Sequence, residues 1–224
     1  MTIPEAHAIE PSSTQEESKP ISPEWGKNIE LNRNGIWVFL SSEVMFFGVL
    51  FLGYVVYRIS YPEAFAEASS HLEILFGSIN TGILLTSSFI MALALNAAQR
   101  GMRKPLALFL AVTALLGVVF LGIKAYEYSH AIQDKLFPGA GFQFPGQNEP
   151  QAEMFFTLYF VMTGLHALHL FIGILLVSAL SILSWMGKFS SERYAPVEVI
   201  ALYWHFVDIV WIFLFPLLYL VKPG

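Results

Sequence analysis

The sequence predicts an all-α, polytopic membrane bundle with five transmembrane helices, and three observations predict it. Of 224 residues, 55% are hydrophobic and 13% charged, whereas soluble domains carry about 25% charged residues. Five apolar runs, over 36–59, 75–97, 106–126, 154–183 and 197–221, approach the roughly 20 residues a bilayer core demands of a helix. None of them shows the short alternating pattern of a membrane β-barrel, and backbone groups in lipid must bond internally, which an α-helix achieves within one segment.

Residues 1–33 read differently. Pro4, Pro11, Pro20 and Pro23 punctuate a Ser- and Glu-rich tract without apolar period. It is expected to be an acidic cytoplasmic tail, disordered at its start, ahead of one transmembrane domain over 34–224. It lacks the basic stretch, apolar core and small-residue cleavage site of a signal peptide, so the first span is expected to direct insertion.

The first span carries Glu43 about seven residues in, on the order of 10 Å below its boundary at 1.5 Å per residue. An acid at the centre of a membrane helix costs about 2.5 to 3.5 kcal/mol, so such residues face a protein interior, a partner or a proton path. Phe39, Leu40, Phe46 and Phe47 lie three or four positions away and surround it with apolar bulk, which favours a neutral carboxyl. A structural hydrogen bond to a neighbouring helix and a proton-linked role both fit. Ser41 and Ser42, with no base beside them, read as backbone-bonded or packing hydroxyls. Tyr54, Tyr57 and Tyr61 are expected at the outer interface, and Trp37 near the inner one.

On the second span Asn80, Thr81, Thr86, Ser87 and Ser88 read as interhelical hydrogen bonders. Gly117 and Gly122 on the third span read as sites of close packing. Ser129 to Gln151, with Pro138, Pro145, Pro150 and several glycines, reads as the one sizeable external loop. The fourth span places His166 and His169 three apart on one face. That spacing can hold a metal, yet no Glu-x-x-His or His-Glu-x-x-His pattern accompanies it. The last span sets Asp208 near its midpoint, with His205 three positions earlier and Trp204 and Trp211 nearby. His205 and Asp208 are expected to pair, or to bond another helix jointly.

Charge orients the bundle. Lys27, Arg33, Arg100, Arg103, Lys104, Lys188 and Arg193 fall on one side, and Arg58, Lys124, Lys135 and Lys222 on the other. The positive-inside rule then puts the N-terminus in the cytoplasm and the C-terminus outside. The absence of cysteine excludes disulfides, thiolate metal sites and covalent haem attachment. No basic stripe points to nucleic acid. No internal repeat divides the spans into the halves of an inverted-repeat transporter.

Five strings are recognisable in order: WVFLSSEVMFFGVLF (37–51), NTGILLTSSF (80–89), the LG…EY pattern (121–128), TGLHALHLFIG (163–173) and YWHFVDIVWIFLF (203–215). Together they touch all five spans, and the chain resembles subunit III of the haem-copper oxidases, in its five-helix bacterial form. It lacks the first two helices of the seven-helix form.

The resemblance implies several roles. Glu43 matches the family's buried, carbodiimide-reactive glutamate. His166 and His169 match its histidine pair, Tyr203, Trp204, His205 and Asp208 fall in its YWHFVD motif, and Glu127 matches an acid at the outer end of its helix. Such a subunit carries no redox centre: it packs on subunit I, with subunit II and a small subunit IV in the same complex. It holds phospholipid between its helices and supports proton uptake and durability in turnover. The lipid cleft of the seven-helix form involves the two helices missing here. Haems and copper are then expected in partner subunits, and electrons to arrive from cytochrome c or quinol through the complex, in the bacterial inner membrane.

A count of ligands agrees. A haem-copper core needs six histidines, and of the six here His7, His71 and His130 are assigned to tail or loops, leaving His166, His169 and His205 for the membrane. Two other classes stay open on the residues alone: a haem b electron carrier bridging His166 or His169 to His205, and a small proton-coupled transporter using Glu43 and Asp208.

Overall fold

The computed structural model describes residues 23–139, 141–145, 148–187, 189 and 194–221, with the backbone alone for 23–33. Among them six α-helices follow in chain order: α1 (Pro23–Ser60), α2 (Pro62–Ser70), α3 (Ile74–Gln99), α4 (Arg103–Gln133), α5 (Glu149–Trp185) and α6 (Ala195–Tyr219). All but α2 are long and apolar enough to cross a membrane, α1 through its segment Asn34–Ser60.

α3 packs on α4, α4 on α5, α5 on α6, and α6 returns to α3, closing a four-helix ring. α1 lies outside this ring against α5 and α6. The link between α3 and α4 is three residues long and turns at Gly101, whose φ of 68° is open to glycine at no steric cost. So short a link forces α3 and α4 to be antiparallel neighbours. Gly117 admits a close approach inside the ring. A Cβ there would stand 2.8 Å from Ile174 and 2.9 Å from Trp204. Around it the core is aromatic, with Phe120, Phe156, Tyr159, Trp204 and Trp211 all buried.

One helix end is tied by two side chains. The last carbonyls of a helix have no partner within it, and in α6 the Leu217 carbonyl accepts from Tyr54 Oη at 2.5 Å and the Leu218 carbonyl from Ser69 Oγ at 2.8 Å. Tyr54 is on α1 and Ser69 on α2, so both outlying helices are fastened to the same end of α6. This end of the bundle, where α2 lies, is the α2 face below.

The fold corrects several expectations. The helix that contains the first span begins at Pro23, reaching back into the stretch read as tail; residues 1–22, on which the expectations for His7 and for a disordered start fall, lie outside the described residues. α2 was not anticipated. Its Ala64, Phe65 and Ala68 are buried, and the sequence signals are Pro62 at a first-turn position and apolar residues at helical spacing. The loop expected over 129–151 narrows to 134–148, because α4 and α5 both outrun their apolar segments. His130 accordingly sits in the last turn of α4. Tyr54 is fully buried rather than interfacial, while Tyr57, Tyr61 and Trp37 are exposed. Lys124, counted among the outer charges, is buried in the ring. Gly122 meets nothing within 4 Å and is no packing contact. Lys188, Arg193, Lys222 and the side chains of Lys27 and Arg33 lie outside the described residues.

Candidate functional site

The polar residues of the spans separate into three groups. The first joins α1 to α5. Glu43 Oε2 lies 3.1 Å from His169 Nε2. The other ring nitrogen of His169 contacts the Leu165 carbonyl at 2.8 Å. If that Nδ1 carries a proton for the carbonyl, Nε2 accepts from a protonated Glu43 or, in the imidazolium, donates to the carboxylate. One proton lies between Oε2 and Nε2 in either arrangement. Phe47 covers the imidazole edge-on at 5.4 Å between ring centroids, and Tyr203 Oη donates to the His169 carbonyl at 2.9 Å. Glu43 and His169 are therefore one unit, partly exposed at 19% and 15% of their side-chain surfaces.

The second group is the seam between α3 and α6. Ser88 Oγ lies 2.7 Å from His205 Nδ1, Trp204 Nε1 donates to Ser87 Oγ at 3.2 Å, and Trp211 Nε1 donates to Thr81 Oγ1 at 3.1 Å. These bonds form at two levels about two helical turns apart on each helix. They fix the register of the two antiparallel helices.

The third group lies toward the α2 face. Lys124 Nζ donates to Tyr219 Oη at 2.7 Å and to Tyr159 Oη and Glu127 Oε2, both at 3.2 Å. Tyr159 and Tyr219 in turn donate to Glu127 Oε1, the former at 2.7 Å. The carboxylate thus takes three donors, and the ammonium is ringed by aromatic faces, with Trp211 at 5.2 Å from the charge. Each charge is compensated within hydrogen-bond reach, as a buried ion pair requires. The spacing of Lys124 and Glu127, i and i+3 on one helix face, was a legible signal for this pair; assigning Lys124 to the outer charges hid it.

Three buried polar side chains stand apart. Among the described residues, His166, Asp208 and Asn80 have no hydrogen-bond partner for either polar atom of their side chains. His166 is wedged between Phe120 and Trp211, at 5.6 and 5.2 Å between ring centroids. The expected pairing of His205 with Asp208 is not formed, because His205 turns to Ser88 on α3 although Asp208 lies one turn along the same helix. Nor do His166 and His169 act together: one faces the aromatic core and the other Glu43 on α1. The histidines weighed as haem ligands, His166 or His169 with His205, are thus held by three different sets of neighbours. Among the described residues, no three His, Cys, Asp or Glu side chains gather as metal ligands. Of the five α3 residues expected to bond between helices, Thr81, Ser87 and Ser88 do so. Thr86 bonds only the Gly82 carbonyl of its own helix. Ser41 and Ser42 bond the carbonyls of Trp37 and Phe39, as expected.

The polar positions and their order along five spans can be set against known proteins. The family model for cytochrome c oxidase subunit III matches residues 27–222. The chain belongs to this family, subunit III of the haem-copper oxidases. Among its relatives, "Cytochrome c oxidase subunit 3" of Thermostichus vulcanus is 37% identical over 192 residues, 84% of this chain and 86% of that protein. The protein of the same name from Synechocystis is 34% identical over 196 residues, covering 86% of this chain and 76% of its own length. A "Probable quinol oxidase subunit 3" of Staphylococcus saprophyticus is 28% identical over 191 residues, covering 85% and 89%. Within this subunit III, all five recognised strings fall on membrane-length helices: α1, α3, α4, α5 and α6. Glu127, placed by the resemblance at an outer helix end, proves to be a buried member of the Lys124 group.

Proposed function

We propose that this subunit III is a non-catalytic member of a proton-pumping terminal oxidase that reduces oxygen to water. It packs against subunit I, holds phospholipid along its apolar surface, and supports proton uptake and the durability of the complex during turnover. The observation that carries the reading is the family match over nearly the whole chain, 27–222. Physical features agree with it. The in-membrane groups of the α3–α6 seam and of the Lys124 cluster are spent on helix-to-helix bonds, which suits a scaffold. Met45, Val49, Leu52, Val56 and Ile59 recur at spacings of three and four on α1 and stay exposed, giving one apolar stripe for lipid or a partner helix. Glu43 with His169, partly exposed beside α1, is the unit suited to proton linkage.

The haems and copper belong to the partner subunits in this reading. Relatives named for cytochrome c oxidase and for quinol oxidase match nearly the same length of chain, so the electron donor is bound by those partners. The chain sits in the bacterial inner membrane with its N-terminus cytoplasmic and the α2 face outside.

Co-purification tests this. An affinity-tagged copy expressed in its host and extracted in mild detergent is expected to bring down subunits I and II, and a small subunit IV, with a haem spectrum proportional to subunit I. Recovery of the chain by itself, carrying a stoichiometric Soret band, would contradict the reading and favour an electron carrier.

A further inference from the structure

A cavity of about 140 Å³ opens beside the Lys124 group at the α2 face. Glu127 and Tyr159, two members of the buried cluster, form part of its wall, and His71, Glu73, His130 and Asp134 line the rest of its polar surface. A buried water needs about 10 to 15 Å³ of such volume and two to four polar partners. The cavity has room for several waters and the groups to hold them. We propose that this cavity is a hydrated vestibule that makes the Lys124, Glu127, Tyr159 and Tyr219 cluster a proton-exchange site on the α2 face.

Two independent features meet here. A clamp between helices needs only its own hydrogen bonds, and the Lys124 cluster has them. It does not need one wall of the carboxylate's surroundings to be a polar hollow. Conversely, a surface hollow would have no proton to exchange unless a donor stood behind its wall, and Lys124 Nζ lies 3.2 Å behind, at Glu127 Oε2.

The step balances simply. One proton leaves Lys124 Nζ for Glu127 Oε2, giving a neutral amine and a neutral acid; it then passes from Oε2 to a cavity water. The cluster changes from net zero to one negative charge, and the reverse sequence restores it. Tyr159 and Tyr219 keep their protons and hold Oε1 throughout. The groups that set the field come from every adjoining element. His71 and Glu73 stand on the link between α2 and α3, and Tyr126, Tyr128, His130 and Asp134 on or just beyond α4. Tyr159 stands on α5 and Tyr219 on α6. Glu73 and Asp134 oppose the negative state, and cationic His71 or His130 would favour it, so the rim regulates exchange. The site lies at the opposite end of the bundle from Arg100, Arg103 and Lys104, and it does not depend on the role proposed for the subunit in proton uptake.

The test uses the intact oxidase complex in lipid nanodiscs, followed by infrared difference spectroscopy after a rapid switch from H₂O to D₂O. Bands of the cluster are assigned by their loss in Glu127→Gln and in Lys124→Met. In the unmodified complex they are expected to shift in a fast phase, well ahead of the core backbone amides. Ala131→Trp places a bulky ring in the cavity wall at a residue that makes none of the cluster's hydrogen bonds, and should abolish the fast phase while the bands remain. Ala131→Val, a smaller plug, should slow it partially and serves should the tryptophan prevent assembly. Exchange as slow as the core amides in the unmodified complex, or a fast phase unchanged in the plugged variants, would overturn the proposal.

Discussion

Glu43 crosses from α1 to meet His169 on α5, whereas Asp208 keeps a buried carboxyl without a hydrogen-bond partner among the described residues. The sequence shows both as acids inside apolar spans, and nothing within either helix separates them. Their difference comes from which helix lies alongside, a relation between residues 126 apart in the case of Glu43 and His169. The pair is testable by itself. Glu43→Gln and His169→Gln, alone and together, should show a coupling of about 0.6 kcal/mol, and not beyond roughly 1.7, the range for single polar contacts between membrane helices. Unfolding of the purified subunit in mixed micelles measures it. A coupling indistinguishable from zero would mean that Glu43 and His169 are neighbours without an interaction.

Among the described residues, α1 lies outside the four-helix ring and is held through its contacts with α2, α5 and α6. Tyr54 fastens it to the last turn of α6. Tyr54→Phe removes the hydroxyl and leaves the Leu217 carbonyl without that donor, at a cost of about 1 to 3 kcal/mol. Faster cleavage by protease at the α1–α2 junction would report the loosening, and an unchanged cleavage rate would show that the bond contributes nothing. Inside the ring, Gly117 and Gly122 form a matched pair. Gly117→Ala pushes a methyl into Ile174 and Trp204 and should destabilise by about 1 to 3 kcal/mol, the cost of overpacking. Gly122→Ala should be close to neutral, because its Cβ meets open space. Thermal unfolding of the two variants gives the comparison, and equal effects would contradict the packing described. Both glycines look alike in the sequence. Only the partner helix tells them apart.

For the whole molecule, the apolar runs were long enough to specify five spans and hence the bundle, because lipid leaves the backbone no other way to satisfy its polar groups. The five strings carried the family, 203–215 most specifically. What escaped was set by tertiary contact: α2 is too short and too weakly apolar to announce itself, and Tyr54 looked like an interfacial tyrosine until α6 supplied its acceptor. The polar groups of the seam were legible as bonding residues, their partners were not.

The proposed orientation rests on the charge pattern, and the lack of cysteine allows a clean probe. Gly224→Cys is expected to react with an impermeant thiol reagent from outside sealed cells, and Ser12→Cys only after permeabilisation; both positions lie outside the described residues. Labelling of both from one face would contradict five crossings. The central claim is that the redox centres of the complex lie in its other subunits, and depletion addresses it most directly. The oxidase stripped of this chain is assayed for haem and copper per subunit I, and for oxygen consumption over many turnovers. The account predicts metal and haem content nearly unchanged, with slower proton uptake or faster decay of activity. Loss of a haem in proportion to loss of this chain would contradict it.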